Sequence, residues 1–368
     1  SNALLVTYSD HKFLDPLIER IEKSLSDEGV KLTKYFGVSV NPKMSEVEEG
    51  IKLSKKCGAE LLIGLGGGSA MDATKTIAAG TLYKGDLWNM VFSRHDNSIK
   101  IVPPEVALPT IMIPTLPATG SEMNPTAVIT NEKLNEKSYT WSPCLYPKVS
   151  IVDPELTTSL PPFQSACGAA DTIAHVLEFY LMGFEDAFLN NRIQEGVMLT
   201  VLEYFPHVRK NPNDISARSH LQWASIVALN GWSQPGDSWT PMHQLGHVLS
   251  ARTNCAHGAS LTIVMPAWMK YYYKTNIEQY GKFAQRVFGV DPVGLSPEEL
   301  ALEGIGRFEK TLIEWGLPTR LSEIGLSEDK IDSVTSDVVR VSFRNDGLML
   351  SRPMATRDDI VNVFKLAL

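Results

Sequence analysis

An α/β domain over residues 1–160, followed by an all-helical domain over 161–368, is the architecture that this sequence predicts. Three observations carry it. Over roughly the first 150 residues, short apolar runs alternate with helical patterns, as in a parallel sheet whose crossovers are helices. Beyond Asp153-Pro154 the strand signal stops and only stripes of helical period continue. Pro161-Pro162 stand between the two regimes.

Taken in order, Leu4–Thr7 reads as the first strand, and Leu14, Leu17, Ile18, Ile21 and Leu25 recur at helical spacing behind it. Leu32–Val38 is a weaker second strand. Ser45-x-x-Glu48 has the form of a capping box, opening a helix that runs to Cys57 and stops at Gly58. Leu61–Leu65 is apolar apart from Gly64, the pattern of a strand covered on both faces. A helix over Ala70–Ala79 follows. Strands at Thr110–Ile113, Ala127–Thr130 and Val149–Val152 are expected to complete the parallel sheet, and the less patterned Tyr83–Pro109 to hold loops and a short helix around Leu87–Val91. In the helical half, Ile193, Val197, Val201 and Tyr204 form one stripe. Others cover Leu221–Leu229, Leu261–Tyr272, Ile277–Val287, Leu300–Trp315 and Asp358–Leu366, with Pro212, Pro292, Pro318 and Pro353 as punctuation.

The 368 residues carry 34 Lys and Arg against 42 Asp and Glu, a formal charge of -8, which argues against general binding of nucleic acid or of an anionic membrane. No apolar run approaches the ~18 residues needed to span a bilayer. Cys57, Cys144, Cys167 and Cys255 share no short spacing, so reduced thiols and a cytoplasmic protein are expected rather than a disulfide scaffold. Ser1-Asn2-Ala3 look like the remnant of a cleaved expression tag and are set outside the expected fold.

Gly64-Leu65-Gly66-Gly67-Gly68-Ser69 lies between a buried strand and a helix. Glycines let a backbone approach a ligand with no Cβ in the way, and a helix start offers unpaired N–H groups and a positive dipole end, which together suit a pyrophosphate. Asp72, in the first helical turn, can cap the helix or reach a ribose or substrate. A tight strand-to-helix turn with no ligand is the plain alternative. The motif is not G-x-G-x-x-G, since Ser69 holds the sixth position. A second turn, Pro114 to Glu122 with Thr115, Leu116, Thr119, Gly120 and Ser121, follows another strand at the end where open sheets bind ligands.

Asp171 and His175 stand at i and i+4, as do His243 and His247, and His257-Gly258 follows. On a helix such pairs share a face. Three imidazoles and a carboxylate form a suitable ligand set for Zn²⁺ or Fe²⁺, whereas any one of these residues alone reads as an ordinary hydrogen-bonded histidine or acid. Gln244 stands where the H-E-x-x-H general base would have to be, so this is not a zincin. His11, His95, His207 and His220 take no role. The Trp268–Tyr273 cluster is expected to pack at a helix end or a subunit contact. Phe179, Leu245, Trp232 and Trp239 suggest either an apolar substrate pocket or core.

Gly66-Gly67-Gly68-Ser69-x-x-Asp72, Pro114-Thr115-x4-Gly120-x-Glu122, Asp171-x3-His175 and His243-x3-His247-x9-His257-Gly258 together resemble the iron-containing (group III) alcohol dehydrogenases across nearly the whole chain. The Leu116-to-Glu122 version is similar to the butanol dehydrogenase and NADPH-dependent aldehyde reductase branch. The resemblance implies an N-terminal dinucleotide-binding α/β domain and an all-helical metal-binding domain of dehydroquinate synthase-like fold. It implies hydride transfer between a primary alcohol or aldehyde and NAD or NADP, with a divalent metal, Fe²⁺ or Zn²⁺, and a homodimer. Carried over by motif, Asp171, His175, His243 and His257 hold the metal. His247 lies beside substrate as a catalytic residue with Asp171 and His243. Gly66, Gly67, Gly68, Ser69 and Asp72 meet the pyrophosphate and its neighbours, Thr115, Leu116 and Thr119 line the nucleotide, and Lys137 touches the cofactor.

Two features depart from the family. A β-hairpin usually precedes the first sheet strand, so a shortened N-terminus is expected. Tyr8-Ser9-Asp10 replaces the Gly-rich stretch common after that strand, with Tyr8 where an acidic residue favours NAD in related enzymes, so the choice of cofactor stays open. A metal-dependent hydrolase, and a lyase similar to dehydroquinate synthase, are the alternatives. The lyase is disfavoured by the apolar segments around Asp171 and His243.

Overall fold

The computed structural model describes residues 1–92, 101–183, 186–236, 240–349 and 351–368. His95 and Trp239 therefore lie outside the described residues. Two compact units emerge: Ser1–Leu116 with Gly120–Thr157, and Pro117–Thr119 with Thr158–Leu368.

The first unit is built on a parallel sheet of order β2-β1-β3-β4-β7, formed by β1 (Asn2–Tyr8), β2 (Lys31–Val38), β3 (Leu61–Gly66), β4 (Thr110–Pro114) and β7 (Val149–Ser150). Helices α1 (Asp15–Asp27), α2 (Met44–Cys57) and α3 (Gly68–Leu82) provide the crossovers. Side chains alternate across a strand. Leu4, Val6 and Leu62 accordingly pack with Val47, Ile51 and Ile77 on one face, while Ala3, Leu5, Ile63 and Leu65 pack with Ile18 on the other. Burial on both faces is why these strands are apolar throughout.

Three expectations need correction. Asn2 and Ala3 belong to β1: Ala3 is fully buried and pairs with Leu32 and Leu61, because the strand needs its full length to bridge its two neighbours. The α2 cap is not Ser45-x-x-Glu48. The helix starts two residues earlier, with Lys43 as its N-cap, and the Glu46 carboxylate accepts the backbone N–H of Lys43 (3.0 Å), while Gly58 ends the helix in the left-handed region (φ 62°) as expected. Ala127–Thr130 is not in the parallel sheet. It lies in β5 (Thr126–Asn131), which forms a separate antiparallel hairpin with β6 (Glu136–Trp141). Alternation in four residues cannot show which partner a strand takes.

A buried polar cluster ties that hairpin to α3. Lys75 Nζ donates to the carbonyls of Asn124 (2.8 Å) and Thr126 (2.9 Å), and Asp72 accepts from Ser121 Oγ (2.6 Å) and Val128 N–H (2.9 Å). Asp72 thus does not cap α3; it pins the second turn and the hairpin. Leaving such groups unpaired would be costly, so the network also selects one hairpin position. Burial lowers the Lys75 ammonium to about 8.

The second unit is helical: α4 (Pro162–Tyr180), α5 (Phe188–Lys210), α6 (Ile215–Leu229), α7 (Met242–Thr253), α8 (His257–Tyr272), α9 (Ile277–Phe288), α10 (Pro297–Glu314), α11 (Ile331–Ser342) and α12 (Arg357–Leu366). One apolar cluster runs through all of them. Helix α4 lies at its centre and is buried on nearly every side from Ser165 to Tyr180, which is why it lacks the one-sided stripe of a surface helix. Trp268 is fully buried and stacks near Tyr272 (4.3 Å between rings), so the aromatic cluster packs the end of α8. His11 lies on Phe36 and His220 on Tyr204 as stacked pairs. The four cysteines are free, and no helix among the described residues is long and apolar enough to cross a membrane.

Glu122, 2% exposed, extends the polar cluster, and burial pushes its carboxyl up to about 7 from 4.5. A folded-state value above the unfolded one means that Glu122 favours the fold when protonated. That contribution is complete below about pH 4.5 and is lost as pH rises through 7. The stability of Glu122→Gln relative to the parent should therefore grow with pH, by up to about 3 kcal/mol between pH 4.5 and 8. Urea unfolding at several pH values checks this, and a pH-independent difference would contradict it.

Candidate functional site

The helical unit gathers three imidazoles around one carboxylate oxygen. Asp171 Oδ1 lies 3.3 Å from His243 Nε2, 3.5 Å from His175 Nε2 and 3.7 Å from His257 Nε2. Each distance traces to the local chain. Asp171 and His175 are one turn apart on α4, so their side chains lie one above the other. His243 enters from the first turn of α7. His257 is the first residue of α8, where Gly258 lets the helix start press against α4: a Cβ at Gly258 would lie 2.3 Å from the Cys167 carbonyl oxygen, one turn before Asp171.

His247, a turn beyond His243 on α7, is not drawn into this group. Its ring lies 5.1 Å from that of His257 and 6.2 Å from that of His243. It flanks the cluster.

Glu178 is the residue that the sequence reading missed. It accepts the His243 backbone N–H through Oε1 (2.7 Å) and sits 2.9 Å from His243 Nδ1 through Oε2. The signal was present: Asp171, His175 and Glu178 stand at i, i+4 and i+7, one face of α4. A glutamate in an apolar helix is easily taken for an isolated surface acid, whereas here it is 6% exposed.

The charges follow from this geometry. Burial, together with the neighbouring His243, pushes His175 down to about 3, so its imidazole is neutral, the form that binds metal. Burial also works against a proton on His243, but Glu178 and Asp171 on either side outweigh it and raise that group to about 10. The stacked pair, with rings 4.3 Å apart, cannot hold two positive charges.

These residues fit a divalent transition metal. His175 Nε2 is buried and makes no hydrogen bond. Four ligands 2.0–2.2 Å from one tetrahedral ion are about 3.4 Å apart, close to the spacings around Asp171 Oδ1. Asp171, His175 and His243 offer ligand atoms all within 4.8 Å of one another. Glu178, on the other ring nitrogen of His243, stands where a carboxylate would orient that ring if it bound a metal.

The other predicted residues belong to the α/β unit, Thr119 excepted. Gly66 ends β3 at φ 143°, Gly67 precedes α3, and Gly68 and Ser69 open it. Thr115 N–H donates to the Gly66 carbonyl (2.9 Å), which brings the second turn against the first, and Leu116 Cβ would lie 3.2 Å from a Cβ on Gly67. Lys137, on β6, donates to Asn41 Oδ1 (2.8 Å). Thr119 falls in the Pro117–Thr119 segment of the helical unit, where Thr172 Oγ1 donates to the Ala118 carbonyl (3.4 Å). Leu245 is fully buried core and Phe179 nearly so, while Trp232 is 58% exposed.

Comparison with known proteins bears on the whole chain. Residues 1–154 match the iron-containing alcohol dehydrogenase model and residues 165–368 the C-terminal model of the Fe-containing alcohol dehydrogenase family. A probable NADH-dependent butanol dehydrogenase 2 of Bacillus subtilis is 34% identical over 100% of this chain and 92% of its own length. The NADPH-dependent aldehyde reductase YqhD of Escherichia coli is 32% identical over 83% of this chain and 78% of its own. The crystal structure of NADH-dependent butanol dehydrogenase A from Thermotoga maritima superimposes with a TM-score of 0.91 at 38% identity, covering 100% of this chain and 90% of that one.

Two substitutions probe the cluster. Glu178→Gln should weaken metal retention roughly 10–100-fold while the fold persists, as read by metal analysis after dialysis against a graded chelator. Gly258→Ala should also reduce retention, because α8 must back away from Cys167 and carry His257 with it. Unchanged metal content in that variant would show that the close approach does not position His257.

Proposed function

The chain belongs to the iron-containing alcohol dehydrogenase family, and from that premise we propose that it is a divalent-metal-dependent oxidoreductase moving hydride between a primary alcohol or aldehyde and NAD or NADP. The convergence of three imidazole nitrogens on Asp171 Oδ1 carries the reading. The named relatives are dehydrogenases and a reductase, which favours it over the hydrolase and the lyase. When bound, the metal supplies Lewis acidity and the nicotinamide supplies hydride exchange.

The chain's own residues do the rest. In this reading Asp171, His175, His243 and His257 hold Fe²⁺ or Zn²⁺, and Glu178 fixes the orientation of His243. His247 passes a proton to or from the substrate hydroxyl. Residues 1–160 serve the cofactor. Gly67, Gly68 and Ser69 meet its pyrophosphate at the α3 N-terminus, where backbone N–H groups and the helix dipole favour an anion. Gly66 shapes that turn, Asp72 holds the Ser121 turn beside it, and Thr115, Leu116, Thr119 and Lys137 line the nucleotide. Residues 161–368 serve metal and substrate. The same reading extends to a cytoplasmic homodimer without nucleic-acid or membrane partners; the charge of -8 supports the last two points.

The absorbance of NADH or NADPH mixed with butyraldehyde tests this directly. Oxidation of the cofactor should depend on added Zn²⁺ or Fe²⁺, and His243→Ala should lose both bound metal and turnover. Full activity in a metal-free His243→Ala protein, or phosphate release without cofactor, would overturn the assignment.

A further inference from the structure

Tyr8 stands at the carboxyl end of β1, and the order β2-β1-β3-β4-β7 places the sheet's switch point between β1 and β3. Open parallel sheets bind ligands just outside that crevice. The glycine turn forms its other wall. Tyr8 packs against the clusters on both faces of the sheet. Its ring rests on Gly66, where a Cβ would lie 2.8 Å from Tyr8 Cε2, and its Oη accepts the Gly67 N–H at 3.0 Å.

A tyrosine hydroxyl both accepts and donates. Here the Gly67 amide occupies the accepting side, which leaves the O–H proton directed away from it. Of the first N–H groups of α3, those of Ala70 and Met71 turn back to the Gly67 carbonyl, and those of Gly68 and Ser69 meet no acceptor among the described residues. A neutral hydroxyl and two amides are therefore hydrogen-bond donors on one turn at the switch point. Burial raises the Tyr8 hydroxyl above its usual value, so it keeps its proton at neutral pH.

We propose that Tyr8 is a cofactor-binding residue of this chain, its hydroxyl, oriented by the Gly67 amide, donating a hydrogen bond to a pyrophosphate oxygen of the dinucleotide. This rests on the nucleotide reading above. It gives the position a different task from that of an acidic residue, which would act on the ribose and repel a 2′-phosphate. A donor to the pyrophosphate serves NADH and NADPH alike.

Tyr8→Phe keeps the ring and removes only the hydroxyl. Equilibrium binding of NADH, NADPH, ADP and adenosine to the full-length parent and variant tests the proposal, with thermal midpoints recorded for both. A hydrogen bond to a charged oxygen predicts a roughly tenfold rise in Kd for NADH, NADPH and ADP in equal measure, and none for adenosine, which has no phosphate. Unchanged or tighter ADP binding would overturn it, leaving the hydroxyl as a structural acceptor for Gly67. A loss shared by adenosine would also overturn it, as general distortion of the turn. Failure of the parent itself to bind NADH, NADPH or ADP would instead refute the nucleotide reading, and Tyr8 with it.

Discussion

One carboxylate oxygen sets the terms for the helical half. Asp171 Oδ1 is buried and approached by three ring nitrogens from three helices, and charge in such a place persists only if compensated. The helices must therefore come close, and the residues between them are small. Gly258 meets the α4 backbone at Cys167, and Gly246 leaves about the room that Leu261 and Ser260 need, with a Cβ there 3.0 Å from each. The apolar cluster around α4 supplies the burial that makes these contacts matter: it excludes water, keeps His175 neutral and turns Glu178 into a strong partner for His243.

The α/β half handles charge in another way. In the proposed reading, anion binding at its glycine turn falls to backbone N–H groups and a hydroxyl, not to a cluster of lysines. Two of its buried ionic groups, Asp72 and Lys75, are occupied in holding the hairpin to α3. A protein of net charge -8 is compatible with a dinucleotide for this reason: local dipoles at one helix start act over the first turn, whereas net charge governs long-range attraction.

Strong local signals survived folding nearly unchanged. β3, the glycine turn and α3 stand where Leu61–Ala79 placed them, and the Asp171-x3-His175 spacing becomes one face of α4. Weak or non-local signals did not. The run Ala127–Thr130 is a strand, but four residues carry no record of whether they join a sheet or a hairpin. The Ser45 cap lost to Glu46 because two acids near a helix start compete, and backbone geometry decides between them. Glu178 was hidden because its partner, His243, is 65 residues away.

By itself the sequence determined the order of most elements, the change from an α/β to a helical region and the acid and imidazoles proposed as ligands, because these depend on period, spacing and residue chemistry within single segments. Only the tertiary structure decided which side chains meet. It joined Asp171 to His243 and His257 but left His247 beside the group, it recruited Glu178, and it laid Tyr8 of one strand on the glycine turn of another. The reason is physical: such contacts arise from the close packing of distant segments, and a charge or hydroxyl acquires its role from the neighbours that burial forces on it.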